Sequence, residues 1–144
     1  MIAESYDIAV NTRGDDHILD LTDEIRDVVT RSGVVTGQLV AMVVGSTASL
    51  TTLEYEPGLV RHDLAAALEV FAPRDGVYEH EKTWHDDNGH SHVRAAVVGP
   101  SLALPIVNGA VPLGTWQQVV LVDFDTGPRS RSVIVNVVGV TGSR

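Results

Sequence analysis

Hydrophobic positions alternate with polar or small ones over residues 5–12, where Tyr6, Ile8 and Val10 share one side of an extended chain. A period of two predicts a strand. The period then lengthens. Leu21, Ile25, Val28 and Val29 fall on one helical face, Asp20 and Thr22 offer N-caps, and Gly33 stands where a helix C′ glycine belongs. Residues 34–44 are β-branched and read as a second strand. A Thr-rich continuation over 46–55 follows a bend at Gly45. Pro57-Gly58 predicts a turn. Leu64, Leu68 and Phe71 predict a second helix over 59–71, closed by Pro73. From Tyr78 onward the pattern is almost wholly that of strands, near 91–98, 101–107, 117–124 and 132–139. Asn108-Gly109 is the strongest short hairpin signal.

Two early helices and a late run of antiparallel strands predict a single α+β domain over 1–144, a mostly antiparallel sandwich or barrel-like sheet with two main helices. The central apolar runs require strands covered on both faces, by a second sheet or by neighbouring subunits. At 144 residues the chain can bury a core without metal or disulfide staples. Any metal is therefore to be sought as a functional part.

Charge narrows the function. Lys and Arg number 10 against 19 Asp and Glu, a formal net charge of −9. Such a surface disfavours nucleic acid and anionic membranes as partners. Lys82 is the only lysine and Asp outnumbers Glu, which fits either a salt-rich cytoplasm or a GC-rich genome. The absence of cysteine removes disulfides, thiolate zinc sites, iron–sulfur clusters and cysteine nucleophiles. The N-terminal residues lack the pattern of a secretory signal. The uncharged stretches 32–53 and 95–122 are too broken by polar residues, Gly and Pro to span a membrane. The expectation is a soluble cytoplasmic protein.

Four of the 6 histidines, His80, His85, His90 and His92, crowd into one segment. Read as a strand entering at residue 91, that segment puts His90 and His92 on one face, with Arg94 further along it. A hairpin over 86–89 would return His80 to the pair. Three neutral imidazoles and an open water position are the layout of a catalytic zinc site, and His85 or Asp86 could contribute instead. A merely solvated polar loop is the plainer alternative. Ser46 and Thr47, at the bend, are candidate hydrogen-bond donors to phosphate or carboxylate. Arg94, Arg129 and Arg131 are candidate anion clamps, although Arg131 could equally pair with Asp123 or Asp125. Glu54 and Asp63 are candidate acid–base groups or plain surface charge. No P-loop, GxGxxG or GxSxG motif is present. Trp116 fits a core or interface position.

Four blocks, GSTASLTTLEYEPGLVRHDL, YEH…NGHSHVRAAVVGPSLALPIVNG, LGTWQQVVLVDFD and PRSRSVIVNVVG, resemble the YjbQ-like family over roughly residues 40–140. A secondary thiamine-phosphate synthase activity is attributed to that family. The resemblance implies a compact α+β fold, a homotrimer with polar sites near subunit contacts, and a histidine-containing, metal-binding site. It assigns the family histidines to His80 and His92, the basic position to Arg94, and the acidic positions to Glu54 and Asp63. Many members carry His-Thr-Thr where this chain has Gly45-Ser46-Thr47, and His90 is the candidate replacement for the missing histidine. The resulting expectation is a divalent metal, zinc, held by His80, His90 and His92. It would assist an enzyme acting on a phosphorylated small molecule, with phosphate bound by Ser46, Thr47, Arg94 and Arg129 and protons moved by Glu54 or Asp63. The alternatives are a non-enzymatic metal- or metabolite-binding oligomer and a histidine-based pH sensor.

Overall fold

A computed structural model describes residues 1–142. Seven strands and four helices follow one another along the chain: β1 (Ile2–Thr12), β2 (His17–Asp20), α1 (Thr22–Ser32), β3 (Val34–Val43), β4 (Ala48–Leu53), α2 (Leu64–Phe71), α3 (Glu81–Trp84), α4 (Gly89–Val98), β5 (Ser101–Val107), β6 (Gln118–Asp123) and β7 (Arg129–Thr141). A wide π-type turn, Leu59–Asp63, leads into α2. The strands form two antiparallel sheets, one of four strands in the order β1-β7-β3-β5 and one of three in the order β2-β6-β4. The α+β expectation holds.

The sheets pack through their inner faces. Leu39, Ala41 and Val43 of β3 and Val133, Val135 and Val137 of β7 meet Leu50, Val119 and Leu121 of the smaller sheet, with Ile25, Val28 and Val29 of α1 closing one side. The far face of the smaller sheet carries Val120 and Val122, which pack with Leu68 of α2, Ala95 of α4 and Phe124. This explains the uninterrupted apolar run 119–122. The central strand β6 is covered on both faces, so alternation would leave one face without a partner. The other face of the larger sheet is uncovered. Val40 and Met42 of β3 and Val138 and Val140 of β7 stand exposed on these paired strands, as does Val44 just past the end of β3.

α1 stops at Gly33 as expected, while Leu21, between the two expected caps, holds the N-cap position. Asp20 Oδ1 accepts from the Thr22 amide at 2.9 Å, and Gly33 ends the helix at φ 65. Two expectations give way. Residues 91–98 belong to helix α4, not to a strand. Its buried residues are Gly89, His90, Ser91, Arg94 and Ala95, a period of three to four that β-branched composition hides. Asn108 and Gly109 do take positive φ, 51 and 78, and close a tight turn with Val107 bonded to Ala110. No hairpin follows, because β5 pairs with β3 and the chain leaves the turn for the 111–117 loop. Among the described residues no helix is long and apolar enough to cross a membrane.

Candidate functional site

Helix α4 has two chemically different faces. Residues two apart on a helix point about 200° apart, whereas residues four apart share a face. His90 and Arg94 therefore turn inward together, while Asn88 and His92 turn together toward a surface cleft. The predicted His90–His92 pair is broken by this geometry. His90 lies buried beside Tyr78, with ring centroids 6.4 Å apart, and its Nδ1 has no hydrogen-bond partner. Among the described residues no three His, Cys, Asp or Glu side chains converge as a metal site.

Arg94 is a structural cation, not an exposed clamp. Fully buried, it donates from Nε to the Ala72 carbonyl at 2.9 Å, from one terminal nitrogen to both oxygens of Asp16 at 3.0 and 2.8 Å, and from the other to Glu69. Glu54 lies just beyond the far end of β4. Six strand residues separate it from Thr47, on the order of 20 Å at about 3.3 Å per residue. Asp63 is exposed in the π-type turn and sits 2.8 Å from His62 Nδ1. Neither acid joins the cleft.

What does converge is a cleft of about 390 Å³ between the β3–β4 corner, the α3–α4 segment and the β6–β7 connection. Ser46 and Thr47 form one wall. His80, Trp84, Asp86, Asn88 and His92 form the second, and Asp125, Arg129 and Arg131 the third. The His80 and His92 rings lie 4.3 Å apart between centroids, inclined at 46°. His80 Nε2 is 3.5 Å from Asp86 Oδ1, near enough for attraction when protonated yet without a hydrogen bond. Burial pushes the His92 pKa down, the neighbouring His80 adds to this, and Asp86, Asp125 and the Ser46 backbone work against it. The balance favours the neutral imidazole of His92.

The third wall is rigid. Arg131 grips Asp123 through two nitrogens at 2.7 and 2.9 Å and donates to Thr47 Oγ1 at 2.7 Å. Thr47 in turn donates to Asp125 at 3.0 Å, and Arg129 Nε donates to the same carboxylate at 2.9 Å. Burial would raise the Asp125 pKa. Hydrogen bonds from Arg129, the Thr126 amide and Thr47 override it and hold the group at about 2. Thr47 and Arg131 are consumed by this network. Ser46 is exposed at the rim, and Arg129, 53 % exposed, enters the network through Nε. Gly45, at φ 136, sits where a Cβ would meet Arg131 Nη1 at 2.7 Å. A guanidinium occupies the space beside the position that the resemblance assigned to a histidine.

The family profile described as UPF0047 protein YjbQ-like matches residues 6–140. The chain belongs to this family. A UPF0047 protein of Methanothermobacter thermautotrophicus is 35% identical over 122 residues, 85% of this chain and 82% of that one. UPF0047 protein YugU of Bacillus subtilis is 28% identical over 92% of this chain and 97% of its own. Among solved structures, a hypothetical protein from Aeropyrum pernix superposes with a TM-score of 0.87 at 31% identity, covering 95% of this chain and 99% of that one. A YjbQ-family neighbour from Sulfolobus solfataricus, described as of unknown function, gives 0.86 at 27% identity, over 96% and 100% of the two chains.

These findings correct the sequence expectation of function. The UPF0047 relatives carry no thiamine-phosphate synthase description. The three-histidine ligand set on which a metal-assisted reaction was built does not assemble, because α4 sends His90 into the core. Sequence reading missed Asn88 and Trp84. Asn88 had a signal, its four-residue spacing from His92, which acquires meaning only once the segment is known to be helical.

Proposed function

We propose that the cleft binds a small hydroxylated carboxylic acid, with its hydroxyl hydrogen-bonded between Asn88 and the His80–His92 pair. The observation carrying this reading is a pair of buried polar atoms without partners in one cleft, His80 Nε2 and Asn88 Oδ1. Buried polar atoms are satisfied in all but a few cases, and two orphans on residues that line one cavity call for a partner the chain itself does not supply. Asn88 Oδ1 only accepts, so it requires a hydroxyl or amine. The same hydroxyl can accept through its oxygen lone pairs from an imidazole N–H.

The charge balance selects the acid. Arg129 already gives Nε to Asp125, and the exposed Asp86 carboxylate adds a negative charge at the mouth. One partly neutralised cation matches a monoanionic carboxylate better than a doubly charged phosphate. Trp84 offers its ring as a lid over the ligand's carbon skeleton.

The test is a titration of the ¹⁵N-imidazole-labelled protein with glycolate, lactate and glycerate. The His80 and His92 resonances should move in saturable fashion with at least one of them, and Asn88→Ala and Arg129→Gln should each weaken binding about tenfold. Resonances that stay still with all three acids, or binding indifferent to both substitutions, would refute the reading.

The uncovered face of the larger sheet supports a homo-oligomer, for which the family resemblance suggests three copies. Val40, Met42, Val138 and Val140 are exposed on its two central strands, interleaved with Gln38 and Asn136.

A further inference from the structure

Basic side chains in an acidic chain would be expected to find acids, and among the described residues seven do. Arg26, Arg31, Arg74, Lys82, Arg94, Arg129 and Arg131 each have a carboxylate partner. Among the described residues only Arg13 and Arg61 are without one, and both line a single cavity of about 640 Å³. They come from segments far apart in sequence, the β1–β2 turn and the π-type turn before α2. His17, Tyr55 and Val60 complete the lining around them.

The acids close by are already engaged. Asp15 is bound by Arg74, and Asp16 is held by the buried Arg94. Glu56 accepts from the Gly58 and Leu59 amides, and Asp63 sits against His62. Of the charged side chains lining the cavity, Asp15 and Asp16 are matched by Arg74 and Arg94, which leaves Arg13 and Arg61 as its unpaired charges. The wall is also rigid. Gly14, Asp15 and Asp16 take φ of 73, 53 and 60, and the Asp15 amide is tied to the Asp125 carbonyl at 2.7 Å. His17 Nδ1 accepts from the Arg13 amide at 3.0 Å. Its proton is thus on Nε2, a third donor. Tyr55, 43% exposed, gives its hydroxyl to the Ile18 carbonyl, which fixes the ring as a flat apolar wall beside Val60.

We propose that this cavity is a second binding site, for a small organic dianion, with Arg13 and Arg61 holding the charge and Tyr55 and Val60 the planar or apolar body. Two guanidiniums match two negative charges, carried either on one phosphate monoester or on two carboxylates. This site is separate from the histidine cleft and does not depend on the function proposed for it.

The test is isothermal titration calorimetry of the full chain at low ionic strength with phenyl phosphate, phthalate and inorganic phosphate. Phenyl phosphate, phthalate or both should bind one to one and more tightly than inorganic phosphate, and the arm that wins identifies the source of the dianion. Arg13→Gln and Arg61→Gln should each weaken that binding at least tenfold. Arg129→Gln, in the histidine cleft, should leave it unchanged. As a readout that needs no variant, phenyl phosphate or phthalate should shift the His17 Nε2 resonance of the unsubstituted protein. No heat and no His17 shift with either organic dianion would overturn the proposal. So would binding that survives Arg13→Gln with Arg61→Gln, or binding removed by Arg129→Gln alone.

Discussion

Replacing Arg94 by Met separates an anion clamp from a structural lock. The side chain is fully buried, so Met fills most of the same volume while three sets of charged hydrogen bonds vanish. The Ala72 carbonyl and the Asp16 carboxylate, which is 13% exposed, lose their partners. Charge-assisted bonds of this kind contribute about 1.5–3 kcal/mol each when desolvated. The Glu69 leg is discounted, since that carboxylate is 48% exposed and solvent screens it, leaving about 0.5 kcal/mol. The apolar stem of Met recovers about 1 kcal/mol. The net loss is about 2.5–5.5 kcal/mol, bracketing the roughly 3–5 kcal/mol for breaking a buried ion pair. For a domain of this length that lowers Tm by about 10 °C. Urea and thermal melts followed by circular dichroism measure it. Arg94→Lys should recover little, because an ammonium cannot donate in three directions with the fork's geometry. A loss below about 1 kcal/mol, or full recovery with Lys, would refute the assignment of Arg94 to structure.

Three further outcomes follow from the same structure. Burial is the leading cause that lowers the pKa of His17, His90 and His92, so the folded state disfavours their protonation. Their share of stability is fully present above the unfolded value, about 6.5, and is lost as pH falls from there through their lower folded values. Asp123 and Asp125 act in a lower window, below 3.8 and down to about 2 for Asp125. Urea midpoints should fall between pH 7.5 and 5, and a flat profile would contradict this. Gly14→Ala should destabilise by about 2–4 kcal/mol, since φ is 73 and a Cβ would meet the Asp125 and Gly127 carbonyls at 2.5 Å; equal stability in urea would show that the turn can relax. Met42→Glu should shift an oligomer to monomer in light scattering, whereas a parent protein already running at monomer mass would remove the case for assembly through that sheet face.

The fold was largely legible. α1, with Asp20 before it and Gly33 after it, and the strands β3, β5, β6 and β7 follow from local pattern, because caps and side-chain period act within a few residues. The short β2 escaped notice: four residues are too few to display a period, and it exists because β6 offers it a free edge. α4 was misread because its valines favour strands, while its helical burial is fixed by Leu68, Phe124 and the smaller sheet packing around it.

The candidate site was half legible. The residue types and the neighbourhood of His80, His92, Ser46, Thr47 and Arg129 were visible in the chain, and they do meet around one cleft. The roles were not. Whether His90 joins His92 turns on the difference between two residues per repeat and 3.6, and tertiary packing chose the helix. Whether an arginine clamps a ligand or locks the core depends on its acids: the Arg131–Asp123 pair, 8 residues apart, was open to sequence reading, whereas Asp16, 78 residues from Arg94, was not. Sequence by itself determined the secondary-structure alphabet, the acidic surface and the chemistry on offer, because these are properties of short segments and of composition. Only the tertiary structure decided which polar groups satisfy one another and which are left unpaired in a cavity, because pairing is set by proximity in space.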